Sequence, residues 1–187
     1  MQTDIIRFID AIRDRPAAYA VFMTLYYTGM REGELLALTP ADIDLEHCTI
    51  RINKSYQRLN GEDVITDPKT PKSNRVITIP EILKTCLTDY MAQCFELQDS
   101  DRMFPYTKSF LYHEMEDGCK IAGVKRIRVH DLRHSHASLL VELGFSPLLI
   151  AERLGHERVQ TTIGTYSHLY PSKQTEVANR LDALASA

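Results

Sequence analysis

Four short stretches of this 187-residue chain carry side chains that could grip an anion or attack an electrophile. The densest is His130-Asp131-Leu132-Arg133-His134. At helical spacing His130, Arg133 and His134 share one face. An imidazole and a guanidinium three apart make an anion grip, and the planar fork of Arg133 matches phosphate oxygens. A lone HxxR is more often a solvated helix start. His130 and His134, with His136 following, also raise a zinc reading. The glutamate of an HExxH helix and a clear third ligand are missing, so no metal is expected. The second stretch, Gly29-Met30-Arg31-Glu32-Gly33-Glu34-Leu35-Leu36, puts Arg31 after a glycine at a helix break and Glu34 one turn later, where it can orient the arginine. As a plain surface ion pair it would contribute at most about 1 kcal/mol. Third, Lys69 lies in a polar loop, where it can reach a ligand or merely keep the loop soluble; Lys72 competes for that role. Last, Leu154-Gly155-His156 precedes Tyr166, which is one of nine tyrosines and by residue type alone reads as a packing residue.

Helices must hold most of these groups. Residues 3–14 and 17–28 read as helices, the second ending near Gly29. A third starts in REGELLAL, and Thr39-Pro40-Ala41-Asp42 has the cap, first-turn proline and acid of another helix start. The period then changes. Thr49–Tyr56 alternates as a half-buried strand does. Asn60-Gly61 is a hairpin turn signal with Val64–Thr66 as the return strand, and Arg75–Ile79 alternates again. These predict a small three-stranded antiparallel sheet in a mainly helical α+β domain. Pro80 opens a helix to about Leu97. Further helices are predicted over 108–122, His130–Leu143, from Ser146-Pro147 to Gly155, and over 159–168. The tail, 173–185, is weakly amphipathic.

Composition allows one domain with a real core and no disulfide or metal staple. Cys48, Cys86, Cys94 and Cys119 form no CxxC pair and read as reduced thiols of a cytoplasmic protein. No apolar run approaches a membrane span, and MQTDIIRFID is not a secretory signal. The net charge of −3 does not advertise nucleic-acid binding. Locally the balance differs. Six Lys or Arg face three acids between Arg51 and Arg75, and Lys120, Lys125, Arg126, Arg128 and Arg133 face Asp131 alone. The chemical residues fall inside these patches.

Taken in order, TGMREGELLAL, PKTPKSNRVITIP, HDLRHSHASLL and LGHERVQTTIGTYSHL resemble the catalytic domain of the tyrosine recombinase (phage integrase) family across nearly the whole chain. Each piece alone is weak; four in order are specific. The resemblance implies the DNA breaking-rejoining enzyme fold and site-specific recombination or integration through a 3′-phosphotyrosine. Arg31 resembles the first catalytic arginine, Glu34 its acidic support, Lys69 the hairpin lysine, His130 and Arg133 the HxxR pair, His156 the later histidine, and Tyr166 the nucleophile. It further implies double-stranded DNA attachment sites as partner, a tetramer on DNA for the full-length protein, a bacterial cytoplasmic setting, and a tail over 173–187 that packs between protomers. Family members carry an N-terminal DNA-binding domain, expected to be absent from residues 1–187.

The set makes chemical sense. A phenol with a usual pKa of about 10 needs nearby cations to favour its phenolate. Arg31 and Arg133 can clamp the non-bridging oxygens. His130 can accept or relay the phenol proton, His156 can donate to a phosphate oxygen, and Lys69 can protonate the leaving 5′ oxygen. Neither ATP nor another cofactor is expected. Lys72, Arg75, Lys120, Arg126 and Arg128 are the candidate DNA contacts. Three rivals stand beside this reading. A type IB topoisomerase would use the same chemistry without a defined site. A non-catalytic regulator could use 137–169 as a helix-turn-helix but leaves Arg31, Lys69 and Tyr166 idle. A degenerate domain would not keep the candidate residues intact.

Overall fold

In the computed structural model, residues 2–68, 70–169 and 174–185 are described. Helix α1 (Gln2–Ala11) ends ahead of Arg15-Pro16, because a proline disfavours helical backbone in the residue before it. Helix α2 (Pro16–Thr28) is apolar nearly all round and almost fully buried, as such a helix must be. Gly29, left-handed at φ +65°, caps it by donating to the Leu25 carbonyl. The short α3 (Glu32–Ala37) follows.

Thr39–Asp42 does not open a long helix. The Asp42 carboxylate accepts from the Thr39 amide (3.0 Å) and hydroxyl (2.9 Å) and pairs with Lys54. The single 3₁₀ turn Pro40–Asp42 is thereby closed, and the chain runs into strand β1 (Ile43–Asp44).

The small sheet is antiparallel and three-stranded, in the order β1-β2-β5, with β2 at Thr49–Ile52 and β5 at Arg75–Thr78. Its membership differs from expectation. Thr49–Tyr56 is two strands, not one, broken at Asn53-Lys54. Strand β3 (Ser55–Leu59) leaves the sheet and pairs with β4 (Glu62–Thr66) as a separate hairpin. Asn60 (φ 51°) and Gly61 (φ 87°) form its two-residue turn, both at positive φ as that turn type requires. Tyr56 anchors the hairpin: its hydroxyl donates to Asp63 (2.8 Å), and Arg102 lies 4.4 Å over its ring.

Among the described residues the chain continues through α4 (Glu81–Gln93), α5 (Lys108–Ala122), α6 (Asp131–Glu142), α7 (Pro147–Leu154) and α8 (Val159–Tyr166), and α9 (Gln174–Ala185) lies in the tail. Left-handed Gly123 and Gly155 cap α5 and α7, and the Ser146 hydroxyl accepts from the Leu149 amide at the start of α7. Two apolar cores result. The larger joins α1–α5 and the sheet around Phe8, Phe22, Leu35, Ile50, Leu83 and Phe104. The smaller gathers Ala137, Leu140, Val141, Ile150, Leu154 and Tyr166 from α6, α7 and α8. No described helix is long and apolar enough to cross a membrane.

Candidate active site

Arg133 lies where the two cores meet. Its Nη1 donates to the Gly29 carbonyl and its Nη2 to the Leu154 carbonyl, each at 2.7 Å. Those carbonyls end α2 and α7, so two negative helix ends converge on one guanidinium. The side chain is buried. Desolvation, followed by the charge of Arg31, pushes its pKa down to about 9. A guanidinium so desolvated gains from a nearby anion. Its remaining N–H groups are the ones free to meet that anion.

Arg31 and Arg75 share the carboxylate of Glu34. Arg31 Nη1 donates to Oε1 at 2.7 Å, and its own amide donates to Oε2 at 2.8 Å. Arg75 donates to Oε2 at 2.9 Å and Oε1 at 3.2 Å. Burial alone would raise the Glu34 pKa, but Arg75 and then Arg31 outweigh it, and the net shift is downward. Glu34 is therefore an ionised, buried strut. Arg31, 41% exposed, keeps a face toward solvent, whereas the Arg75 side chain is 7% exposed. Arg75 also donates to the carbonyls of Arg153 (2.8 Å) and Ser73 (3.0 Å). The expectation of Arg75 as a DNA contact is therefore corrected: its donors are engaged inside the protein.

His156 follows the Gly155 cap. Its Nδ1 lies 2.8 Å from the Thr162 hydroxyl, which is fully buried. If Thr162 donates, the neutral ring carries its proton on Nε2 and presents a donor. Burial first, then Arg133, Arg31 and Arg75, holds its pKa down to about 4, so the ring is neutral at ordinary pH. His130 stands just ahead of α6 on the exposed surface; burial of part of its ring and the neighbouring His134 lower its pKa.

Tyr166, at the end of α8, is 4% exposed and packs in the smaller core. Burial raises its phenol pKa, and Arg133 offsets only part of that. The expected lowering by cations is thus overturned: desolvation wins. Its hydroxyl lies 2.7 Å from His134 Nδ1 on α6, and the two rings are 5.9 Å apart. The His134 ring meets that of His130 edge-on at 5.2 Å.

His134 and His136 entered the sequence reading through the shared helix face and the discarded zinc set, and Arg153 did not enter it. Arg153 donates to His136 Nε2 and to the carbonyls of Thr78 and Tyr27, each at 3.0 Å. It laces α7 to β5 and α2. Among the described residues no group of three or more His, Cys, Asp or Glu could hold a metal.

Lys69 lies outside the described residues. Lys72 beside it is exposed. Lys120 pairs with Glu116 at 2.8 Å, and Arg126 reaches the same carboxylate at 3.5 Å. Arg128 donates through Nε and Nη2 to Asp131. Arg126, Arg128 and His130 border a groove of about 430 Å³ with Glu32 and Tyr112.

Comparison with known proteins gives the chain a family and a fold. The model of the phage integrase family matches residues 2–173. The ICEBs1 integrase of Bacillus subtilis (strain 168) is 37% identical over 192 aligned residues, covering 95% of this chain and 52% of that protein. The chain thus spans about half the length of that relative. Among solved structures, XerA recombinase matches with a TM-score of 0.72 at 25% identity, over 92% of this chain and 63% of that one. The Tn1549 transposon integrase in complex with a circular intermediate DNA matches in fold, with a TM-score of 0.75 at 20% identity over 96% of this chain and 63% of that one.

Proposed function

Given that the chain belongs to the phage integrase family, we propose that it is the strand-cutting part of a site-specific DNA recombinase of a phage or integrative element. One observation carries this reading: Arg31, His156 and Tyr166, distant in sequence, gather around Arg133 as an anion site beside a phenol. In the proposed reaction the Tyr166 oxygen attacks the phosphorus, the bond to the 5′ oxygen breaks, and a 3′-phosphotyrosine forms. Arg31 and Arg133 hold the non-bridging oxygens, where developing charge is best stabilised by fixed donors. His156 donates through Nε2, and His130 lends a further polar contact at the exposed edge. Lys69, with Lys72 as its rival, protonates the leaving 5′ oxygen. A 5′-hydroxyl from another strand then reverses the step. The covalent link keeps the bond energy for the rejoining step.

The partner in this proposal is duplex DNA; the Tn1549 transposon integrase is seen in complex with a circular intermediate DNA. Lys72, Lys120, Arg126 and Arg128 are the proposed backbone contacts, and affinity falls with salt as counterions compete. Two exposed apolar groups support assembly. Leu143, Leu148 and Leu149 lie exposed at the turn from α6 into α7 and within α7, and Leu181 and Leu184 lie exposed on α9. We propose that the α9 segment of one protomer covers the α6–α7 turn of its neighbour in a DNA-bound tetramer, in the cytoplasm of a bacterial cell. That apolar face of α7 also disfavours the helix-turn-helix reading, whose second helix must offer polar groups to base edges.

A nicked duplex carrying the attachment site of the element that encodes this chain tests the reading. Wild type should trap a covalent protein–DNA adduct, and Tyr166→Phe should not. An adduct that persists in Tyr166→Phe and is lost in Tyr170→Phe would move the nucleophile.

A further inference from the structure

We propose that His134, the residue after the HxxR arginine, is the proton acceptor for Tyr166 and so a further catalytic residue. The assignment rests on the reading of Tyr166 as nucleophile. Its ground is position: His134 Nδ1 lies 2.7 Å from the reacting oxygen, a hydrogen-bonding distance to the atom whose proton must leave. A phenol hydroxyl donates and a neutral imidazole nitrogen accepts, so the ring carries its own proton on Nε2.

Burial makes the acceptor necessary. Tyr166 is 4% exposed, which keeps bulk water from taking the proton. Arg133, the cation that reaches the phenol, has no lone pair to offer. His130 stacks its ring edge-on against His134 rather than bonding to the phenol. The charged and titratable neighbours that face His134 are His130 and Asp131 from its own segment, His156 from the α7–α8 link, and Tyr166 from α8. Among these, Tyr166 is the one within hydrogen-bonding distance.

The step balances. As the Tyr166 oxygen bonds to phosphorus and the phosphorus–O5′ bond breaks, the phenol proton moves to His134 Nδ1 and the electron pair of the broken bond stays on O5′, which takes a proton from the loop lysine. In the resealing direction the imidazolium returns its proton to the departing phenolate. One residue thus acts as base in cutting and as acid in joining.

The test compares wild type, His134→Ala and His134→Gln for the rate of adduct formation on the nicked duplex, with binding of the intact duplex and thermal unfolding measured alongside. Glutamine offers an oxygen to the phenol and can hold it in place, but it cannot take a proton. Both variants should bind and fold, and both should lose about a hundredfold or more in rate, the scale of general-base catalysis. Imidazole in the buffer should recover part of the rate in His134→Ala and none in Tyr166→Phe. A His134→Gln protein that cuts at the wild-type rate would overturn the assignment and leave Tyr166 as nucleophile. A wild-type protein that forms no adduct would remove both.

Discussion

Arg31 and Arg75 hold the same carboxylate, and their exposure separates what each is for. Removing Arg75 leaves Glu34 buried with half its support, and breaking a buried pair costs about 3 kcal/mol. Arg31 is the exposed partner, so Arg31→Ala should cost about 1 kcal/mol or less in stability while adduct formation falls about a hundredfold or more. Duplex binding should suffer less than cleavage in that variant. Urea unfolding and adduct assays on the two variants check the contrast; equal loss of binding and cleavage in Arg31→Ala would remove its assigned role. That Arg31, Glu34, Arg133, His156 and Tyr166 would lie near one another was legible in the sequence, because the motifs that carry them occur in one family's order; the roles given to them are proposals. The inward turn of Arg75 was not legible, since an arginine in a basic loop reads the same whether it faces solvent or a carboxylate 41 residues away. Nor was the pairing of His134 with Tyr166, made 32 residues apart by the packing of α6 on α8.

At the scale of elements, periodicity located the longer helices, while the helix start expected at Thr39 became a single 3₁₀ turn and one expected strand became two. The buried residues Ile50, Ile52 and Tyr56 all fall on even positions, so the same face stays inward on both sides of Asn53-Lys54 although the chain changes sheets there. A period of two reports which face is inward, not which neighbour supplies the hydrogen bonds. Glycines at the ends of α6 and α7 were predicted, but their different burdens belong to the fold. Gly144 (φ +82°) has open space around it, so Gly144→Ala should cost about 1 kcal/mol from backbone strain alone. Gly155 (φ +68°) would place a Cβ 2.9 Å from Arg75 Nη1 and 3.1 Å from the Lys72 carbonyl. Gly155→Ala should therefore cost more than Gly144→Ala in a denaturant titration, and its adduct yield should drop because Arg75 must shift off Glu34.

Across the whole molecule, the two cores are joined by polar groups that acid can disturb. His136 is held to a pKa of about 3 by burial and by Arg153, and His156 to about 4. Unfolding frees both to titrate near their ordinary value of about 6.5. Below that value the unfolded chain binds more protons than the folded one, so stability falls as pH drops from about 6.5 toward 3. Glu34, whose pKa is depressed in the fold, adds to the loss at the acid end. Thermal unfolding from pH 7.5 down to 4.5 should show a falling midpoint. His136→Gln, which still offers an oxygen to Arg153, should flatten that fall; an unchanged slope would place the acid sensitivity elsewhere.

Arg133 bonds at once to the end of α2 and the end of α7, and this decides which inert version of the protein is worth making. Deleting that guanidinium would remove the proposed phosphate grip but also unstitch two carbonyls and loosen the seam they close. A protein so altered could not stand in for the native one in a trapped DNA complex. Tyr166→Phe gives up a single hydroxyl and keeps its ring in the smaller core. It is the variant in which silence and shape can be separated.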